Sequence, residues 1–285
     1  MRLGRSSGIY ILSFAARMLN LQGLGSMSKF IDRLDEINEG TPAQMGFGPA
    51  RAKKVPGLAL IIQVSANHKA GAATATEVSP DGIIISGLTG AAQVKDLKDA
   101  LSGTIWGVRT DSLSTADAKA YEEDGSGLLA FQIKGTSMGA LSSEESATVL
   151  CIEPDTAIED LRDINELPID AVLFPMSGAS SSWTLEDMKI LARISGRLNK
   201  YLLVEVTEPP SADDLKVLRT AGIDGLVLDV SAGKEVLESL KKALMEMPKP
   251  GSERSGKSNA ILPGIAYSSR REESDPEPDE DDDYE

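Results

Sequence analysis

Five ionisable side chains stand late in otherwise apolar runs of this sequence: Arg109 in TIWGVRT, Lys134 in LLAFQIK, Glu153 in TVLCIEP, Glu205 in YLLVEVT and Asp229 in GLVLDVS. A charge buried without a partner among aliphatic neighbours is strongly unfavourable, so each of these groups must be paired, wet or ligand-bound. Gathered in one place, two cations and three carboxylates can hold a small anionic metabolite and move a proton. In that arrangement Arg109 grips a carboxylate or phosphate. Lys134 forms an imine if burial and Arg109 depress its pKa, and is a plain electrostatic clamp otherwise. Glu153 or Glu205 serves as the base, and Asp229 adds a substrate contact. The same charges could instead form a closed ion-pair network with no chemistry.

Loops rich in small residues follow several runs: SGLTGA from Ser86, KGTSMG from Lys134, SGASSS from Ser177 and SAGK from Ser231. Their backbone N–H groups can cradle an anion, which adds Ser177, Gly178 and Gly233 to the candidate substrate contacts. They are equally good turns. His68 is the sole histidine and Cys151 the sole cysteine, so neither a His-rich zinc site nor a four-cysteine centre can form. Glu153, Glu205 and Asp229 together could ligate a hard ion such as Mg2+, although no Asp-rich ligand motif supports this, and no other cofactor is indicated. Cys151, inside its run, reads as a small core residue.

What must position these residues is a repeating scaffold. Eight short apolar runs begin at Leu58, Gly82, Thr104, Leu128, Thr148, Asp170, Tyr201 and Gly225. They recur roughly every 20 to 30 residues, the length of one strand, one helix and two short loops. Alternation of this kind builds a parallel sheet, and eight units close a barrel whose strand ends share one rim. Five pairs spaced like capping boxes predict helix starts: Ser114 with Asp117, Ser142 with Glu145, Thr156 with Glu159, Thr184 with Asp187, and Ser211 with Asp214. Apolar stripes at helical spacing follow, such as Leu185, Met188, Leu191, Ile194 and Leu198, or Leu237, Leu240 and Leu244. An open doubly wound sheet is the rival architecture, but no Gly-x-Gly-x-x-Gly follows the first run.

A second repeat places Asp before even-numbered runs, at Asp81, Asp124, Asp170 and Asp224. With Ala221-Gly222-Ile223-Asp224-Gly225-Leu226-Val227-Leu228, this pattern resembles the aldolase-type and phosphate-binding (β/α)8 TIM barrels over Leu58 to about Met247. That resemblance implies an α/β fold with its site at the C-terminal ends of the strands, and it is architectural, shared by many activities. Lys134 on the fourth run is similar in placement to the lysine of transaldolase-type barrels. One departure stands out: TEPPS follows the seventh run, where phosphate-binding members carry glycines.

The expected organisation is a flexible or spurious extension at 1–27, a capping helix and Gly/Pro loop at 28–56, the barrel at 57–247, a linker with a docking segment at 248–267, and a disordered acidic tail at 268–285. The first 31 residues are basic and acid-free, which fits either a targeting segment or upstream read-through before Met27. Of the formal charge of −15, ten units lie in EESDPEPDEDDDYE, so the remainder is only mildly acidic. No basic patch with interleaved aromatics exists to meet nucleic acid. No apolar run is long enough to span a bilayer. A soluble, cytoplasmic protein is expected, with self-association left open.

The first functional expectation is therefore a lyase, aldolase or isomerase acting on a small anionic metabolite through enolate or imine chemistry. The alternative is a non-catalytic barrel serving as an assembly or adaptor subunit, whose acidic tail meets a protein partner.

Overall fold

The computed structural model describes residues 28–39, 54–90, 92–142, 145–157, 159–176 and 183–247. The N-terminal extension, the Gly/Pro loop at 40–53, the linker and the acidic tail all lie outside these residues. The eight apolar runs form strands β1 (Ala59–Ser65), β2 (Gly82–Ser86), β3 (Trp106–Thr110), β4 (Leu128–Gln132), β5 (Ala147–Cys151), β6 (Ala171–Pro175), β7 (Tyr201–Val206) and β8 (Gly225–Asp229). All are parallel, each pairs with its sequence neighbour, and β8 pairs with β1, so the sheet closes into a barrel. The open-sheet alternative is thereby excluded.

Strand alternation divides the buried side chains into two sets. Ile62, Val64, Ile83, Ile85, Val108, Leu129, Val172 and Leu226 face outward and pack on the helices. Ala59, Ile61, Ile84, Leu128, Ala130, Val149, Leu173, Leu203 and Val227 fill the interior. The helices are α1 (Lys29–Glu39), α2 (Lys69–Val78), α3 (Ala92–Lys95), α4 (Thr115–Glu123), α5 (Asp160–Asn165), α6 (Leu185–Ser195), α7 (Ala212–Thr220) and α8 (Lys234–Glu246).

Helix α1 plugs the N-terminal end of the barrel: Phe30, Leu34 and Ile37 are fully buried in the interior cluster. Very small inner residues make room for it. A Cβ added at Gly82 would lie 3.1 Å from the Phe30 ring. Polar contacts fix the plug's register. Arg33 donates to Asp81 at 2.7 Å, Asn38 donates to Asp224 at 2.7 Å, the Tyr201 hydroxyl meets Asp35, and Ser28 donates to the Gly127 carbonyl at 3.2 Å.

The aspartate repeat has a structural meaning, and it is threefold rather than fourfold. Asp81 accepts the Leu60 N–H, Asp170 the Thr148 N–H and Asp224 the Leu202 N–H, at 2.7 to 2.8 Å. Each carboxylate staples the start of an even strand to the preceding odd strand, satisfying a backbone donor at the barrel's foot. In the β3–β4 unit the equivalent residue is Gly127, whose N–H donates to the Trp106 carbonyl as those of Asp81, Asp170 and Asp224 donate to Leu60, Thr148 and Leu202. Asp124 instead ends α4, three residues too early to act as a staple.

Three of the five capping pairs form: Ser114, Thr184 and Ser211 each accept the N–H three residues on, the latter two in reciprocal boxes. The other two do not. The Thr156 hydroxyl accepts the Glu153 N–H and shapes a turn, and α5 begins only at Asp160. Ser142 closes a 3-10 turn (Met138–Ser142) by donating to the Gly139 carbonyl at 2.6 Å. In the stripe of α6, Leu191 and Ile194 are buried, but Leu185 is 85% exposed, because the first turn lies beyond the barrel wall. No helix among the described residues is long and apolar enough to cross a membrane.

Candidate active site at the barrel mouth

Extending the inward parity of each strand to its C-terminal end brings Gln63, Ser86, Arg109, Gln132, Cys151, Glu205 and Asp229 to a common upper layer. Below this layer the barrel is aliphatic, so polar atoms inside it must find partners within the layer, in water or in a ligand.

Arg109 and Glu205 do so. The Arg109 Nη1 lies 2.8 Å from Glu205 Oε2, linking β3 to β7 across the barrel, and the same nitrogen donates to Gln63 Oε1 at 2.9 Å. Both charged side chains are 26% exposed, so the pair is reachable from solvent. One guanidinium nitrogen thus holds both partners, and the fork's remaining N–H groups are not needed for that bond. Burial lowers the basicity of Arg109, but the Cys151 sulfur, Glu205 and Asp111 outweigh it, and its pKa lies above the ordinary value.

Cys151 shares this layer. Burial pushes its thiol up to about 11, against the opposing pull of Arg109. A thiol held neutral is a poor nucleophile, so Cys151 lines the site and does not attack from it.

The other sequence candidates fall elsewhere. Lys134 lies two residues past the end of β4, exposed on the loop that follows, without the burial that would make an amine nucleophilic. Glu153 is likewise two residues beyond β5 and exposed, its N–H bonded to the Thr156 hydroxyl. Asp229 has inward parity, but its Oδ1 accepts the Ser231 N–H at 2.8 Å and caps a 3-10 turn (Val230–Ala232). Gly233, at φ 93°, donates its N–H to the Val230 carbonyl at 3.1 Å. Ser177 and Gly178 lie outside the described residues. Glu153, Glu205 and Asp229 do not converge as ligands, and among the described residues no group of three or more His, Cys, Asp or Glu side chains is placed to hold a metal ion.

Sequence reasoning overlooked Gln63 and Gln132 and read Ser86 only as the start of a loop of small residues; each is a neutral polar residue two positions beyond an inward aliphatic residue. That offset was the available signal. A separate cavity of about 570 Å3 opens at the opposite, N-terminal end, lined in part by Arg33, Lys54, Thr76, Asp81, Thr104 and Lys241. Among its described lining residues the one carboxylate, Asp81, is committed to Arg33 and the Leu60 N–H.

These features define a (β/α)8 TIM barrel with a polar mouth. The chain matches no protein-family model and no curated protein. Among solved structures it is similar to tryptophan synthase from M. tuberculosis in an open form, with 12% identity, TM-score 0.53, and coverage of 76% of this chain and 97% of that one. It is also similar to a mutant tryptophan synthase alpha-subunit from Pyrococcus furiosus, with 14% identity, TM-score 0.51, and coverage of 66% and 96%. Thiamine phosphate pyrophosphorylase from Pyrococcus furiosus is a third, with 10% identity, TM-score 0.50, and coverage of 66% and 96%. At these identities the likeness is one of fold.

Proposed function

We propose that this protein is an enzyme of the lyase or isomerase type, acting at the barrel mouth on a small anionic metabolite. The observation that carries the reading is the Arg109–Glu205 contact of 2.8 Å, which holds a base and a cation together, part-exposed, above an aliphatic floor. Barrel enzymes act at this end of the strands, and the structural neighbours bear the names of barrel enzymes.

In the proposed step, the substrate's anionic group docks on the outer N–H groups of Arg109. The Glu205 carboxylate then takes a proton from the carbon next to a carbonyl or carboxyl group. The C–H electron pair moves onto that group's oxygen as an enolate, and Arg109 stabilises the charge. Where the enolate is conjugated with a β,γ double bond, return of the proton from Glu205 to the γ-carbon completes an isomerisation; where the β-carbon bears a leaving group, collapse of the enolate forms the α,β double bond as that group departs with its bonding pair. Gln63 accepts from the same guanidinium nitrogen and helps to hold it in place. Imine chemistry at Lys134 is not part of this reading, since the residue stands exposed on the loop beyond β4.

The test is exchange of carbon-bound hydrogen in D2O, followed by 1H NMR over a panel of small oxo and hydroxy acids and phosphate esters. Catalysed loss of a C–H signal with the wild-type protein, falling about 100-fold or more in Glu205→Gln, is the expected result. Exchange that survives Glu205→Gln, or none with any compound, overturns the assignment.

A further inference from the structure

In many β/α barrels the loops after the seventh and eighth strands, with the start of a short helix, bind a phosphate group. Here several of the groups that would form that cradle are already engaged. After β8, the N–H of Ser231 donates to Asp229 Oδ1 at 2.8 Å and that of Gly233 to the Val230 carbonyl at 3.1 Å. Lys234, the nearest cation in sequence, donates to Glu77 at 2.6 Å. After β7, Pro209 and Pro210 have no N–H to offer, and the N–H of Ser211 donates to Asp214 at 3.2 Å. The Asp229 carboxylate thus occupies the start of the 3-10 turn where an external anion would sit.

Charge at the mouth points the same way. Among the described residues Arg109 is the sole cation with inward parity at the strand ends, already sharing Nη1 with Glu205, while Asp229 has the same parity at the end of β8 and Asp111 follows β3. A dianionic phosphate ester would meet two or three carboxylates for one guanidinium. A single carboxylate fits the planar fork with one negative charge.

We infer that the substrate of this site is a non-phosphorylated carboxylic acid gripped by Arg109, and that Asp229 is a built-in anion closing the cradle after β8 to phosphate. This rests on the mouth being the reaction centre.

Calorimetric titration of the full chain with pyruvate and, separately, with inorganic phosphate tests it. Saturable binding of pyruvate by the wild-type protein is expected, weakened about tenfold or more in Arg109→Lys, which keeps the charge but loses the planar fork. Phosphate should show no saturable binding until Asp229→Gly frees the Ser231 N–H and removes the charge, whereupon it should bind. Saturable phosphate binding by the wild type, or no gain in Asp229→Gly, overturns the closed cradle. If wild-type phosphate binding is also lost in Arg109→Lys, the mouth reading stands and only the substrate class falls. Failure of pyruvate to bind, or pyruvate binding unaffected by Arg109→Lys, rejects Arg109 as the anchor.

Discussion

Arg109 on β3 and Glu205 on β7 meet at 2.8 Å inside the barrel although 96 residues separate them in sequence. Their contact exists because both strands keep inward parity up to their last residues: Gly107 and Arg109 on one, Leu203 and Glu205 on the other. A one-residue slip in either strand would turn its charge toward the helix layer.

The pair should be measurable as a coupling. In a double-mutant cycle of Arg109→Met and Glu205→Gln, the two single changes should together destabilise the fold by about 1 kcal/mol more than the double change does, a modest coupling because both groups are partly wet. Chemical denaturation of the four proteins gives the number. Strict additivity would mean that the contact carries no energy.

Cys151 should be nearly inert in the native state. Its thiol is held neutral up to about 11, so iodoacetamide at neutral pH should leave it unmodified until denaturant is added, as followed by intact mass. The linkage has a definite sign. Below the ordinary thiol value both states hold the proton and stability is unaffected. Between about 9 and about 11 only the unfolded thiol ionises, and the fold loses on the order of 2 kcal/mol. Cys151→Ser should flatten that alkaline decline.

Asp224 has a raised pKa, chiefly through burial, with the Leu202 N–H and Asn38 pulling it down. An acid whose folded pKa is raised contributes stability below its unfolded value and loses it as pH climbs through the folded value. Asp224→Asn should therefore gain on the wild type as pH rises through and above the ordinary carboxylate range, with Asn38 turning its amide to present oxygen. Parallel stability curves for the two proteins over this range would contradict the shift.

The plug helix should matter for the whole barrel. Phe30 is fully buried against the foot of β2, so Phe30→Ala should cost about 3 to 5 kcal/mol in denaturant unfolding. A loss below about 1 kcal/mol would mean that α1 is not part of the cooperative unit.

Most of the barrel was legible because each unit repeats a strand-sized apolar run followed by a helical stripe, and observed strand starts fall within two residues of the runs. The site was only half legible. Arg109 and Glu205, which the structure brings together, stood out in the sequence because a charge late in an apolar run is rare. Lys134 and Glu153 were drawn in because Ile133 and Ile152 lengthen their runs past the last paired residues, Gln132 and Cys151. Ile133 is 63% exposed, a surface aliphatic residue with the appearance of a strand residue. Gln63 and Gln132 carry no charge and gave no signal until the barrel's parity was fixed. The aspartate staples were visible as a repeat, but only the pairing register separates Gly127 from Asp124 as the fourth position.

The most direct measurement is a crystal structure of the protein grown with pyruvate. The account predicts the carboxylate on the guanidinium of Arg109, with a substrate carbon facing Glu205 at the mouth. An unoccupied mouth, with the anion bound instead beside Lys54 and Lys241 at the foot of the barrel, would contradict it.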